Sequence, residues 1–161
     1  MTLEDPDLSP EPVELDEAGH VLLCGMRAIA VGRSECPTLR RMFGDLCGSS
    51  GEEALNILFV VIKQLAFTSK RRLCVHVPGC RRISRDEMMF LSALAAAQDD
   101  GAGAAPCTRL WLSRLTGREA DASLVRSLGV LAGVLNANGR HIALSDPLEA
   151  AAAPGRSVAV H

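Results

Sequence analysis

Residues 54–67, ALNILFVVIKQLAF, are apolar nearly all round a helix, interrupted only by Asn56, Lys63 and Gln64. A helix with no polar face has to be wrapped by other elements. The segment is therefore expected to be the central helix, and the rest of the chain must supply its cover. With those interruptions it is too short to span a membrane. A length of 161 residues suits one domain that buries about two-thirds of its surface. The cover has to be aliphatic, because aromatics make up 3% of the chain, with no Tyr and one Trp, Trp111. Leu, Val, Ile, Met and much Ala favour helix packing. The same shortage excludes an aromatic platform for single-stranded nucleic acid.

Helix signals recur on both sides of the apolar segment. Residues 20–31, HVLLCGMRAIAV, fit a helix or a strand, and helix is preferred. Pro37 suits the first turn of a short helix over 38–47, closed by Gly48. Ser50-x-x-Glu53 reads as a capping box for the apolar helix, and Ser84-x-x-Glu87 as a second box opening a helix to about Gln98. DDGAGAAP is a loop. Helices over 109–115 and 122–137 follow, the latter striped by Leu124, Leu128, Leu131 and Leu135 and stopped at Asn138-Gly139. Between the boxes, RRLCVHV alternates and carries Val75 and Val77, so it reads as a short strand ended by Pro78-Gly79. RHIAL, at 140–144, is its expected edge partner. The fold class is mainly α: a compact domain of five to six helices with a short two-stranded β ribbon.

Net charge is −2, unevenly placed. Residues 1–17 hold seven acids and no base, which leaves the remainder at about +5. Residues 1–18 read as a disordered acidic arm, 19–146 as the domain and 147–161 as a flexible tail. No internal repeat is visible. The start of the chain lacks the basic, apolar and small-residue pattern of a secretory signal. Six scattered cysteines are then expected as reduced thiols, in a cytoplasmic setting.

The stretch TSKRRLCVHVPGCRRISRDEMMFLSALAAA, with the apolar helix before it, resembles a group of small alphaproteobacterial proteins classed as a domain of unknown function. The shared elements are an apolar helix, Ser-Lys/Arg-Arg, a short apolar strand, a Cys/Pro spot, and an Arg-apolar-Ser/Thr-x-Asp/Glu-Glu helix start. They span residues 54–98, under a third of the chain, and include no catalytic signature. The group is richer in cysteine where this chain has Gly79-Cys80. The resemblance implies a bacterial, cytosolic, helical protein and no particular activity.

Several chemistries compete for the stretch KRRLCVHVPGCRRISRDE. No cofactor is expected, but Cys74, His76 and Cys80 offer three metal ligands for a zinc ion in the alternative reading, with Cys36 or Cys47 as a fourth. The spacing matches no known zinc finger, and the plainer reading makes Cys74 a small core hydrophobe. Cys80, flanked by Arg81 and Arg82, is the best candidate for a reactive thiol, because positive surroundings raise the thiolate fraction. The plainer reading is a solvent-facing cysteine. GSSGEE is no phosphate loop, since Glu52 and Glu53 repel an anion there. Arg40, Arg41, Lys70, Arg71, Arg72, Arg81, Arg82 and Arg85 could form a basic face, but a helix beginning DEMMFLSALAAA is too apolar for a groove, so nucleic acid is not the expected partner. A small anion is a better match: Arg81, Arg82, Ser84 and Arg85 surround a helix N-terminus, where N–H groups and guanidinium forks suit carboxylate or phosphate oxygens. Gly129-x3-Gly133 permits close helix approach, within the chain or across a homodimer. The expected function is a non-enzymatic binding or regulatory module for a protein partner or small anion, without a membrane span. The rival is a Cys/His metal or thiol-redox protein centred on Cys74, His76 and Cys80.

Overall fold

The computed structural model describes residues 14–100 and 105–144. Among them are six α-helices, α1 (Glu17–Ala30), α2 (Pro37–Cys47), α3 (Gly51–Thr68), α4 (Arg85–Asp100), α5 (Pro106–Thr116) and α6 (Ala122–Ala137), with a 3-10 turn over Gly48–Ser50 before α3. The mainly helical class follows directly from the capping and periodicity signals. No described helix is long and apolar enough to cross a membrane.

The helix preferred over residues 20–31 forms, and it starts earlier, because Asp16 accepts from the Gly19 N–H at 2.7 Å and caps it. The inner end of the expected acidic arm, Asp16 to Ala18, thus belongs to the domain. Residues 1–13 and 145–161, which hold most of the expected arm and the whole of the expected tail, lie outside the described residues. Ten of the 14 residues of α1 are buried. It crosses α2 and α3 closely at Gly25, where a Cβ would sit 2.6 Å from a Leu58 methyl and 3.1 Å from the Phe43 ring. α1 is therefore the most enclosed helix, rather than α3. α3 packs on α1, α2 and α6, but leaves Phe59, Val60 and Phe67 open on its outer side.

The first capping box does not form. Ser50 makes no side-chain cap bond, and its φ and ψ of −89° and 2° belong to the 3-10 turn rather than to the extended backbone of a cap. The turn supplies the helix start instead, through the Gly51 N–H to Gly48 carbonyl bond. Gly51 presses onto α2, where a Cβ would come within 2.5 Å of the Phe43 carbonyl oxygen. The α2–α3 corner is thus set by backbone contact.

α4 packs against α5, α6 and α1, burying Phe90, Leu91 and Leu94 completely. α5 begins at Pro106, and Asp100 accepts from the Thr108 N–H (3.0 Å) and hydroxyl (2.9 Å). α6 is capped by Asp121 and stops at Asn138-Gly139. Complete burial of a Leu or Phe stabilises by about 1.5–3 kcal/mol, so this aliphatic interior holds the fold without bridges.

The β ribbon is absent: no described residue is in a strand. Residues 72–77 still present alternate N–H groups to one side, but carboxylates receive them. Asp86 accepts from the Cys74 N–H at 2.7 Å and Glu87 from the His76 N–H at 2.9 Å. In the segment 141–144, Gln98 accepts from the Ile142 N–H (2.9 Å) and Asp16 from the Ala143 N–H (2.7 Å). Asp86–Glu87 and Gln98 stand at opposite ends of α4, about 17 Å apart at the helical rise. Strands pair at about 4.8 Å, so the two segments are held too far apart for a ladder.

Candidate anion-binding groove

The second capping box does form, and it is the base of the site. The Ser84 N–H donates to Glu87 at 2.8 Å, and the Glu87 N–H donates to the Ser84 hydroxyl at 3.0 Å. Ser84 also donates to the Cys74 carbonyl, tying the helix start to the preceding segment. Glu87 is fully buried and meets Arg27 of α1, whose Nε and Nη2 donate at 2.8 and 2.9 Å. The remaining Arg27 donors reach the carbonyls of Cys80 (2.7 Å) and Arg82, closing the 78–82 turn onto α1. Burial pulls the Arg27 pKa down, but the bonded Glu87 carboxylate outweighs it and the net shift is upward. A lone cation inside HVLLCGMRAIAV was the signal for this clasp, and the sequence reading passed over it.

Asp86 forms a second clasp. It accepts a forked pair of bonds from Arg71 (3.0 and 2.6 Å) besides the Cys74 N–H. Both acids of the first turn of α4 are engaged, and the N–H groups that might have met an external anion are partly taken up inside the chain.

The four residues expected to bind an anion separate in the structure. Ser84 is buried and engaged. Arg81 and Arg82 are exposed on the turn, with no ion pair among the described residues, and the Arg82 carbonyl faces Arg27. Arg85, exposed, lines an open cavity of about 400 Å³ together with Arg71, Asp86, Met89 and Arg114. Three guanidinium groups from three places in the chain face one carboxylate, a local charge of +2. Arg114 stacks on Trp111 at 5.4 Å from the ring centroid, which holds its planar head in place. Segment 69–71 is fastened to α5 by the Lys70 N–H to Thr116 carbonyl bond (2.9 Å), bringing Arg71 to the same end. Arg114 is 29 positions from Arg85. No local sequence pattern announces that convergence.

Among the described residues, no three of His, Cys, Asp and Glu are arranged to hold a metal ion, so Cys74, His76 and Cys80 do not form a ligand set. The described cysteines are unpaired. Burial, then the charges of Asp86 and Glu87, push the Cys74 thiol up. Cys36 goes the other way: N–H groups of Leu39 and Thr38 at the start of α2 hold its pKa down. The sequence reading named Cys80 as the best candidate for a reactive thiol, beside the plainer solvent-facing reading, and considered Cys36 only as a metal ligand, although its place directly before the helix-opening Pro37 was the signal for the lowered pKa. Comparison with protein families, curated proteins and solved structures finds no match, and the chemistry has to be argued from the groove itself.

Proposed function

We propose that this protein is a non-enzymatic, cytoplasmic binding module. Its groove takes a carboxylate or phosphate group, free or carried on a partner protein. The observation that carries this reading is the convergence of Arg71, Arg85 and Arg114 on one open cavity whose single carboxylate already belongs to Arg71. Guanidinium forks match planar or tetrahedral oxyanions, and Met89 gives the groove an apolar floor for whatever carries the anion. Arg81 and Arg82 on the neighbouring turn extend the positive field and steer an anion inward. An open, wet groove gives weak, salt-sensitive binding, since charges are screened over about 8 Å at physiological ionic strength. A metal site at Cys74, His76 and Cys80 has no comparable convergence to support it.

The test is a titration with inorganic phosphate followed by amide NMR. Saturable shifts are expected at Arg85–Met89 and around Arg114, lost in the double variant Arg85→Gln/Arg114→Gln, while helicity stays unchanged. No response of the wild-type groove to millimolar phosphate overturns the reading.

A further inference from the structure

We propose that the acidic segment 1–13 of this chain docks in the arginine groove through Glu4, Asp5 and Asp7 and competes there with external anions. This docking rests on the groove's affinity for anions proposed above, and it gives the groove a ligand carried on the same chain. Charge selects the pair. The described residues hold 16 bases and 13 acids, a surplus of +3. Arg71, Arg81, Arg82, Arg85 and Arg114 against Asp86 alone place +4 at one end of the molecule. Asp86 engages Arg71, which leaves Arg85 and Arg114 without an ion pair among the described residues. Elsewhere Arg27, Arg40 and Arg140 each have a carboxylate. Residues 1–13 hold Glu4, Asp5, Asp7 and Glu11 and no base. Their carboxylates are of the class that guanidinium forks take.

Reach sorts these acids. The start of α1 fixes where the segment leaves the domain: Leu15 packs on the core, and Asp16 caps the helix and receives the Ala143 N–H. The groove lies towards the other end of α1, where Arg27 meets Glu87 next to Asp86. From Asp16 to Arg27 the helical rise covers about 17 Å. Helix α4 gives the same span, because Gln98 holds Ile142, the neighbour of Ala143, and lies about 18 Å from Asp86. An extended chain covers about 3.3 Å per residue. Measured from Glu14, Glu11 therefore reaches about 10 Å and falls short. Asp7 reaches about 23 Å, Asp5 about 30 Å and Glu4 about 33 Å, which leaves slack to pass round the surface. A tether this short gives an effective concentration in the millimolar range, enough to compete in an open, salt-sensitive groove without shutting it.

Phosphate titrations of the full chain, followed by amide NMR, test this. The triple variant Glu4→Gln/Asp5→Asn/Asp7→Asn should shift the Arg85–Met89 and Arg114 amides before any phosphate is added. It should then bind phosphate at least threefold more tightly than wild type at about 50 mM salt, and no more tightly at about 0.5 M, where charges are screened. Glu11→Gln should match wild type. The control for net charge is Asp45→Asn/Glu52→Gln/Glu53→Gln. These acids are exposed at the α2–α3 corner, which Arg140 ties to the start of α1 through the Leu46 carbonyl and Glu17, so they stand far from the groove. Equal phosphate affinity in wild type and the arm variant overturns the docking and leaves the groove an anion site. Equal tightening in the control overturns it too, as a field effect alone. Arm-dependent shifts that grow with protein concentration assign the segment to a second molecule's groove and overturn docking within the chain. No phosphate response in either wild type or the arm variant overturns the groove itself and this docking with it.

Discussion

Two irregular segments, 72–77 and 141–144, face the same problem and solve it with different chemistry. Each lacks a strand partner, and each hands its N–H groups to side chains, the first at the start of α4, the second at the end of α4 and at the cap of α1. At the start of α4 the acceptors are Asp86 and Glu87, themselves locked by Arg71 and Arg27. At its end the acceptor is Gln98, neutral, joined by Asp16, the partly exposed cap of α1. The first arrangement links the 70–82 region to α1 and α4 through buried charge. The second is a set of ordinary hydrogen bonds. A buried carboxylate that loses its cation, or the reverse, is far more costly than a neutral amide that loses a donor. The two ends of one helix should therefore fail very differently.

The largest expected effect is at Glu87. Glu87→Ala leaves the Arg27 guanidinium buried without its counter-charge and strips the acceptors of the His76 and Ser84 N–H groups. A loss of about 3–5 kcal/mol in urea unfolding is expected. Hydrogen exchange should show faster opening at residues 74–84 and unchanged protection at Ile142. Uniform loss across both segments would erase the contrast between them.

Ser84→Ala comes next, removing the cap of α4 and the bond to the Cys74 carbonyl, at about 0.5–2 kcal/mol. Ser50→Ala is its control, expected within about 0.5 kcal/mol because Ser50 caps nothing. Equal effects at the two serines would show that the 3-10 turn does not replace the first box. At the other end, Gln98→Ala should cost about 1 kcal/mol, exposing the Ile142 amide to exchange and leaving the 72–77 segment intact.

The smallest effect is chemical rather than energetic. Burial, and then the carboxylates that hold residues 72–77, disfavour the Cys74 thiolate, whereas helix N–H groups favour that of Cys36. A lowered thiol pKa means a larger thiolate fraction near neutral pH, and a raised one means a smaller fraction. Iodoacetamide should therefore modify Cys36 before Cys74, with the order read by peptide mass mapping. In Glu87→Gln the gap should narrow. Preferential labelling of Cys74 in the wild type would contradict the electrostatic contrast.

Several helix boundaries were legible from local signals: Pro37 and Gly48 for α2, Ser84 and Glu87 for α4, Asn138-Gly139 for α6; the equally local signal at Ser50 and Glu53 misled about the cap of α3. The alternation in RRLCVHV was read as a strand, and no strand forms there, because periodicity says nothing about which acceptor is available. One of the three groove arginines was visible in the same way. Arg85 stood out beside its helix start, while Arg71 and Arg114 join it only because α5 packs on α4 and the Lys70 N–H is fastened to Thr116.

The amino-acid sequence by itself determined the helical class, the aliphatic interior and the second capping box, since each depends on interactions within a few residues or on bulk composition. Tertiary structure alone decided which helix is enclosed, that Arg27 closes on Glu87 sixty positions away, and that an all-round apolar helix keeps one side bare. Those outcomes depend on which surfaces meet when helices pack. Local preferences of a degree shared by several segments leave that choice to whichever arrangement satisfies the buried charges and fills the interior at once.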